Sequence, residues 1–127
     1  MNTMPRRAAC ALLLAALVPA CTRGPARARP DTELLTQAQM LEGQYTYVYD
    51  AIEAMRANWL VVRGTDSFST PSQIWVYYDT TKLGGIETLR SVRVNEVVYV
   101  RHYNGIDATT RWGVGHSAGV IYLSSHQ

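Results

Sequence analysis

Between residues 45 and 59 the apolar side chains recur every three or four positions: Tyr45, Val48, Tyr49, Ile52, Met55 and Trp59. That spacing draws one stripe along a helix and puts Asp50, Glu53 and Arg56 on its other side. A helix is therefore predicted over 46–57, with Asn58 as its C-cap. Upstream, Thr36 and Gln39 have capping-box spacing and open a short helix through Leu41 that Gly43 ends. Beyond the second helix the period shortens to two. Residues 59–63 read as a short strand closed by Gly64, and 65–72, polar and containing Pro71, as a loop. A strand is predicted over 74–78, where β-branched and aromatic residues concentrate. Leu83-Gly84-Gly85 reads as a turn, followed by a helical segment over 87–91. The strand over 97–103 sets Val98, Val100 and His102 on one face against Val97, Tyr99, Arg101 and Tyr103 on the other. A single helical turn over 107–112, glycines at 113 and 115, and a last strand over 120–123 complete the pattern. The sum is an α+β domain over 34–124, a small mixed β-sheet with two or three short helices. A core this small must lean on Trp59, Trp75, Trp112 and the tyrosines.

The first twenty residues follow another rule. Arg6 and Arg7 precede a run over 8–18 that holds no charge. The run is shorter than the roughly 20 residues a membrane-spanning helix needs, and it has the length of a signal-peptide apolar segment. Leu17-Val18-Pro19-Ala20-Cys21 then resembles the lipobox of bacterial lipoproteins, in which the cysteine becomes the first residue and carries the lipid. The resemblance makes residues 1–20 the signal peptide and Cys21 the lipid attachment site. Pro19 departs from the family's pattern, and Val18 with Ala20 also suits ordinary signal peptidase. Cleavage without a lipid is thus the alternative, and a retained anchor a third. Arg6-Arg7 lacks the flanking residues of a twin-arginine signal. Cys10 falls inside the apolar run, which leaves Cys21 alone in the processed chain and rules out an intrachain disulfide there. A lipid thioether accounts for a lone thiol in an oxidising compartment. Residues 21–33 form the lipidated N-terminus and a tether. Pro25 and Pro30 oppose helix in it, and Arg23, Arg27 and Arg29 are placed to touch anionic head groups.

Charge changes the picture once the tether is set aside. Of the 12 basic residues, five lie before Asp31, so from Asp31 onward the chain carries seven against ten acidic ones. A mildly acidic domain does not suit a nucleic-acid partner held through phosphates. Catalytic candidates are few. His102, Asp107 and Ser117 offer the residue types of a hydrolytic triad, but no G-x-S-x-G elbow surrounds Ser117. His102 on a strand face reads first as a packed histidine. His102, His116 and His126 show no metal-ligand spacing, and Gly113-x-Gly115 is too short for a dinucleotide fingerprint. Neither a metal nor a cofactor is expected. The composition is skewed in one respect: eight tyrosines against one phenylalanine. Most are expected to line the core and sheet with their hydroxyls at the edges. Recognition is the other use of such residues.

Ile74-Trp75-Val76-Tyr77-Tyr78-Asp79, then Leu83-Gly84-Gly85-Ile86 and Leu89-Arg90-Ser91-Val92, resemble in collinear order the strand, turn and short helix of a known family, the plug domain of TonB-dependent outer-membrane receptors. Val94-Asn95-Glu96-Val97-Val98-Tyr99-Val100-Arg101 resembles its next strand. Ala108-Thr109-Thr110-Arg111-Trp112-Gly113 and Ala118-Gly119-Val120-Ile121-Tyr122-Leu123 resemble its small-residue turn and closing strand. Leu35 to Met40 and Tyr49-Asp50-Ala51-Ile52 are similar to its opening strand and two helices. Thr80-Thr81 and Arg101-His102-Tyr103 depart from the family, and no TonB-box segment precedes the domain. The resemblance implies a plug-like fold and an outer-membrane location. Barrel gating and TonB-driven transport are not expected of these 127 residues alone.

The expectation is a non-catalytic, lipid-anchored module of the bacterial envelope, facing the periplasm. It would meet the membrane through its N-terminal lipid and bind another envelope protein or a ligand. The alternatives are a purely structural envelope lipoprotein and a small secreted hydrolase.

Overall fold

A computed structural model describes residues 31–63, 69 and 71–127. The expected signal peptide, Cys21 and the tether through residue 30 lie outside the described residues, as do positions 64–68 and 70 of the expected loop. Five strands form one sheet: β1 Leu34–Thr36, β2 Trp75–Tyr78, β3 Thr81–Gly85, β4 Tyr99–Tyr103 and β5 Val120–Ser124. Their order is β1-β4-β5-β2-β3, and every pairing is antiparallel except the parallel β2–β5. Three α-helices accompany it: α1 Gln37–Glu42, α2 Val48–Arg56 and α3 Gly105–Trp112. The fold is the α+β class that the alternating pattern predicts, a mixed sheet with three short helices.

One face of the sheet builds the main core. Leu35, Val76, Val100, Ile121 and Leu123 share that face by register and are all fully buried. They belong to one cluster with Met40 of α1, Val48 and Ile52 of α2, Trp59 and Leu89. Each buried aliphatic side chain stabilises by about 1.5–3 kcal/mol, so this cluster dominates the fold. The predicted capping box is present: Gln39 N–H donates to Thr36 Oγ1 at 3.4 Å, and Thr36 N–H to Gln39 Oε1 at 2.9 Å. That second bond has a further effect at the edge of the sheet. The N–H groups of Leu34 and Thr36 point away from β4, and both are satisfied locally, Leu34 by the Asp31 carbonyl at 3.2 Å. An edge so occupied does not invite another strand.

Several boundaries differ from the expectation for physical reasons. The predicted helix over 46–57 starts at Val48, because Tyr47 bridges to Arg93 and Val94 N–H donates to Thr46, which holds the entry extended; it ends at Arg56 with Ala57, not Asn58, as its C-cap. Residues 59–63 form no strand. Trp59 continues the stripe of α2 into a 3₁₀ turn over Ala57–Leu60 and is fully buried, while Val61 and Val62 stay exposed. Leu83-Gly84-Gly85 is strand, not turn. The chain reverses further upstream, at Asp79-Thr80, where Asp79 takes φ 50°, a left-handed conformation that suits a two-residue hairpin. Gly84, at φ 140°, instead serves a bulge that shifts the β2–β3 register after Val76. The turn over 107–112 is a full helix from Gly105. Asn104 caps it, its Oδ1 accepting from Ile106 and Asp107 N–H at 3.0 Å each. Among the described residues, no helix is long and apolar enough to cross a membrane.

Candidate binding face

The opposite side of the sheet is unusual in what it displays. An antiparallel sheet with one buried face ordinarily shows polar residues on the other. Here the register gathers Trp75 and Tyr77 from β2, Tyr99, Arg101 and Tyr103 from β4, and Tyr122 from β5. Each of the five aromatic rings is half-buried, and Arg101 is exposed. Alternation along β4 and β2 creates this face, since the residues between are Val100, His102 and Val76 of the core side. Helix α3 lies across one end and contributes Trp112. Two further buried side chains, Ala108 of α3 and Val120 of β5, sit outside the main core cluster.

The rings form a connected cluster. Tyr77 stacks on Trp112 with centroids 5.1 Å apart, and Tyr103 meets Trp112 edge-on at 5.1 Å. Tyr122 lies at its centre, 6.3 Å from Trp112, 6.4 Å from Tyr103 and 6.3 Å from Tyr99. Such pairs contribute about 0.5–1.5 kcal/mol each beyond the area they bury. Burial, followed by the neighbouring Tyr99, pushes the Tyr122 hydroxyl above the usual phenol range.

Two polar clamps hold the loop after α3 against this layer. Trp75 Nε1–H donates to the Gly115 carbonyl at 2.9 Å. His116 Nδ1 lies 3.0 Å from the Gly113 carbonyl, which can only accept, so Nδ1 carries a proton. In the neutral imidazole Nε2 is then the acceptor for the Tyr77 hydroxyl, 3.0 Å away. Gly113 and Gly115, at φ 91° and 92°, make the tight connection possible.

Cations overlie the rings. The Arg111 guanidinium sits 5.4 Å from the Tyr103 centroid, 5.1 Å from Trp112 and 5.7 Å from Tyr122. Arg101 stands 5.7 Å from Tyr103, and Lys82 Nζ lies 3.3 Å over Trp75. Contacts of this kind add about 0.5–1 kcal/mol at exposed positions.

The candidate triad has other engagements. His102 sits on the core side of β4, stacked 5.5 Å from Trp59, and its Nδ1 lies 2.5 Å from Glu33 Oε2. Asp107 accepts from Asn104 Nδ2 at 2.8 Å within the first turn of α3. Ser117 packs beneath Gly105, where a Cβ would fall 1.9 Å from the Ser117 carbonyl oxygen. His116 is clamped as described, and His126 lies 3.5 Å from Asp79. Among the described residues no three His, Cys, Asp or Glu side chains are grouped to hold a metal ion. The lipid site, Cys21, lies outside the described residues.

The sequence reading missed that the aromatics converge with Arg111 and Arg101 on one surface. The signal is present: Trp75-x-Tyr77, Tyr99-x-Arg101-x-Tyr103 and Tyr122 all fall at period two on strands. The eight tyrosines are divided in place: Tyr49 is in the core, Tyr45 and Tyr78 pack against it, Tyr77, Tyr99, Tyr103 and Tyr122 take the other face, and Tyr47 is exposed. No family model, no curated protein and no solved structure matches the chain.

Proposed function

We propose that the chain is a non-catalytic, lipid-anchored module of the bacterial envelope that binds another envelope protein through the aromatic face of its sheet. The observation that carries this reading is the face itself. Tyrosine, tryptophan and arginine are the residues that dominate protein interfaces, and here they occupy a half-exposed surface on three adjacent strands. The lipobox-like Leu17 to Cys21 supports export and anchorage, and the collinear segments over 34–124 support a plug-like domain, placed at the outer membrane and turned to the periplasm. A binding module needs no catalytic group, which agrees with the separate engagements of His102 and Asp107.

A photo-crosslinking amino acid at Tyr99, on the aromatic face, tests the proposal against one at Glu53, exposed on α2. In intact cells Tyr99 should yield a discrete adduct and Glu53 none. Equal labelling from both positions, or none from Tyr99, would exclude this face as the binding surface.

A further inference from the structure

The geometry points to an acidic polypeptide segment as the partner of the aromatic face, with Arg111 as the residue that selects its carboxylates. The inference rests on the aromatic face being the binding surface and goes on to name the chemistry recognised there. Charge distribution is its first support. From Asp31 onward the chain holds ten acidic residues and seven basic ones, yet three of those seven, Lys82, Arg101 and Arg111, gather on this one face. A cationic patch on an acidic domain is a local arrangement rather than a by-product of composition.

Geometry is the second. Two guanidinium groups converge on a single ring, Arg101 at 5.7 Å and Arg111 at 5.4 Å from the Tyr103 centroid. Arg101 has Asp31 at 3.9 Å, a loose and exposed pair. Arg111 forms no ion pair among the described residues. One of its five N–H donors reaches the Tyr103 hydroxyl at 3.2 Å. The ring contacts seat the guanidinium on the face while the side chain stays exposed, and an exposed guanidinium can read a carboxylate with two parallel hydrogen bonds.

The shape of the surface supplies the third support. Beside Arg101 the same face continues into a groove of about 550 Å³, where Leu34, Ala38, Val98 and Tyr99 share the walls with the polar Thr36, Gln37 and Gln127. A groove of mixed walls with a cation among them fits a segment that carries both apolar and acidic side chains. Nucleic acid suits an acidic domain poorly. Three cations also fall short of the roughly four to eight that mark an anionic-lipid site.

Fluorescence anisotropy on the purified, host-processed protein in detergent tests the inference. The probes are three labelled octapeptides that alternate leucine with glutamate, glutamine or lysine. The glutamate peptide should bind about tenfold more tightly than the glutamine peptide, and the preference should fall with rising salt. Arg111→Gln should abolish the preference, about a tenfold loss for the glutamate peptide alone, and Arg111→Lys should restore part of it. Trp112→Ala should weaken both the glutamate and glutamine peptides. Unchanged far-ultraviolet dichroism of Arg111→Gln shows that its fold is kept. Equal affinity for glutamate and glutamine peptides, or a preference that survives in Arg111→Gln, overturns the inference. If Trp112→Ala still weakens binding in that case, the aromatic face stands as the binding surface. Tighter binding to phosphatidylglycerol vesicles than to the glutamate peptide overturns the polypeptide assignment. Failure of all three peptides to bind overturns it as well.

Discussion

Asp79 shows how one side chain can serve the backbone and the electrostatics together. It turns the β2–β3 hairpin in the left-handed conformation, and its carboxylate accepts from Ser125 N–H at 3.1 Å and from the Ser125 hydroxyl at 2.6 Å. The hydroxyl bond, ahead of the backbone bond and of His126, holds the Asp79 carboxyl below its usual range, although partial burial opposes this. A depressed carboxyl contributes stability above its unfolded value, about 3.9, and loses that contribution as the pH falls through the lower folded value. Asp79→Asn keeps a residue that tolerates positive φ and removes the charge together with one of the two acceptor oxygens. It should destabilise by about 1 kcal/mol at neutral pH. The gap should begin to narrow below about pH 4 and close as the pH falls through the lower folded value, where the wild-type carboxyl is protonated. Urea titrations at neutral and acidic pH measure both values, and a gap independent of pH would place the effect elsewhere.

Among the elements, α3 depends on the closest fit. Gly105 opens it against the Ser117 backbone, with no room for a methyl group. Gly113, just past its end, has open space around it and only a positive φ to satisfy. Gly105→Ala should therefore cost about 3 kcal/mol through displaced backbone, and Gly113→Ala about 1 kcal/mol through its conformation alone. Chemical denaturation followed by tryptophan fluorescence compares the two. Equal costs would mean that the helix start yields easily.

The legibility of the elements follows the same division between local and long-range causes. The stripe of α2, the capping box of α1 and the alternation along β4 are local patterns, and the sequence displays them directly. The 3₁₀ turn at Trp59 was not legible, because a valine-rich stretch reads as strand until a partner strand is found to be missing. Gly84-Gly85 looked like a turn, because a bulge and a turn ask for the same residue. Assembly of the aromatic face was hidden for a third reason. It requires the pairing of β5 between β4 and β2, and strand order is set by contacts far apart in sequence. The separate engagements of His102, Asp107 and Ser117 are likewise products of tertiary packing.

At the scale of the whole molecule the two sides of the sheet are divided between stability and contact. The aliphatic side holds the main core, and the aromatic side keeps its rings half-exposed under three cations. On the proposed function, anchorage is a separate device carried by Cys21. Cys21→Ala should move the protein from the membrane fraction to the soluble periplasmic fraction, as immunoblotting of separated fractions would show. Continued membrane retention would count against the lipid.

The sheet order has one more consequence, for how the protein is made. The strand that comes last in the chain, β5, occupies the middle of the sheet. Until it arrives there are only two strand pairs, β1 with β4 and β2 with β3, and an isolated two-stranded pair is marginal in water. On the proposed function the chain is threaded across a membrane from its N-terminus, and this order of strands would then delay folding until residues 120–124 have emerged. Assembly of the sheet is thereby tied to the arrival of β5.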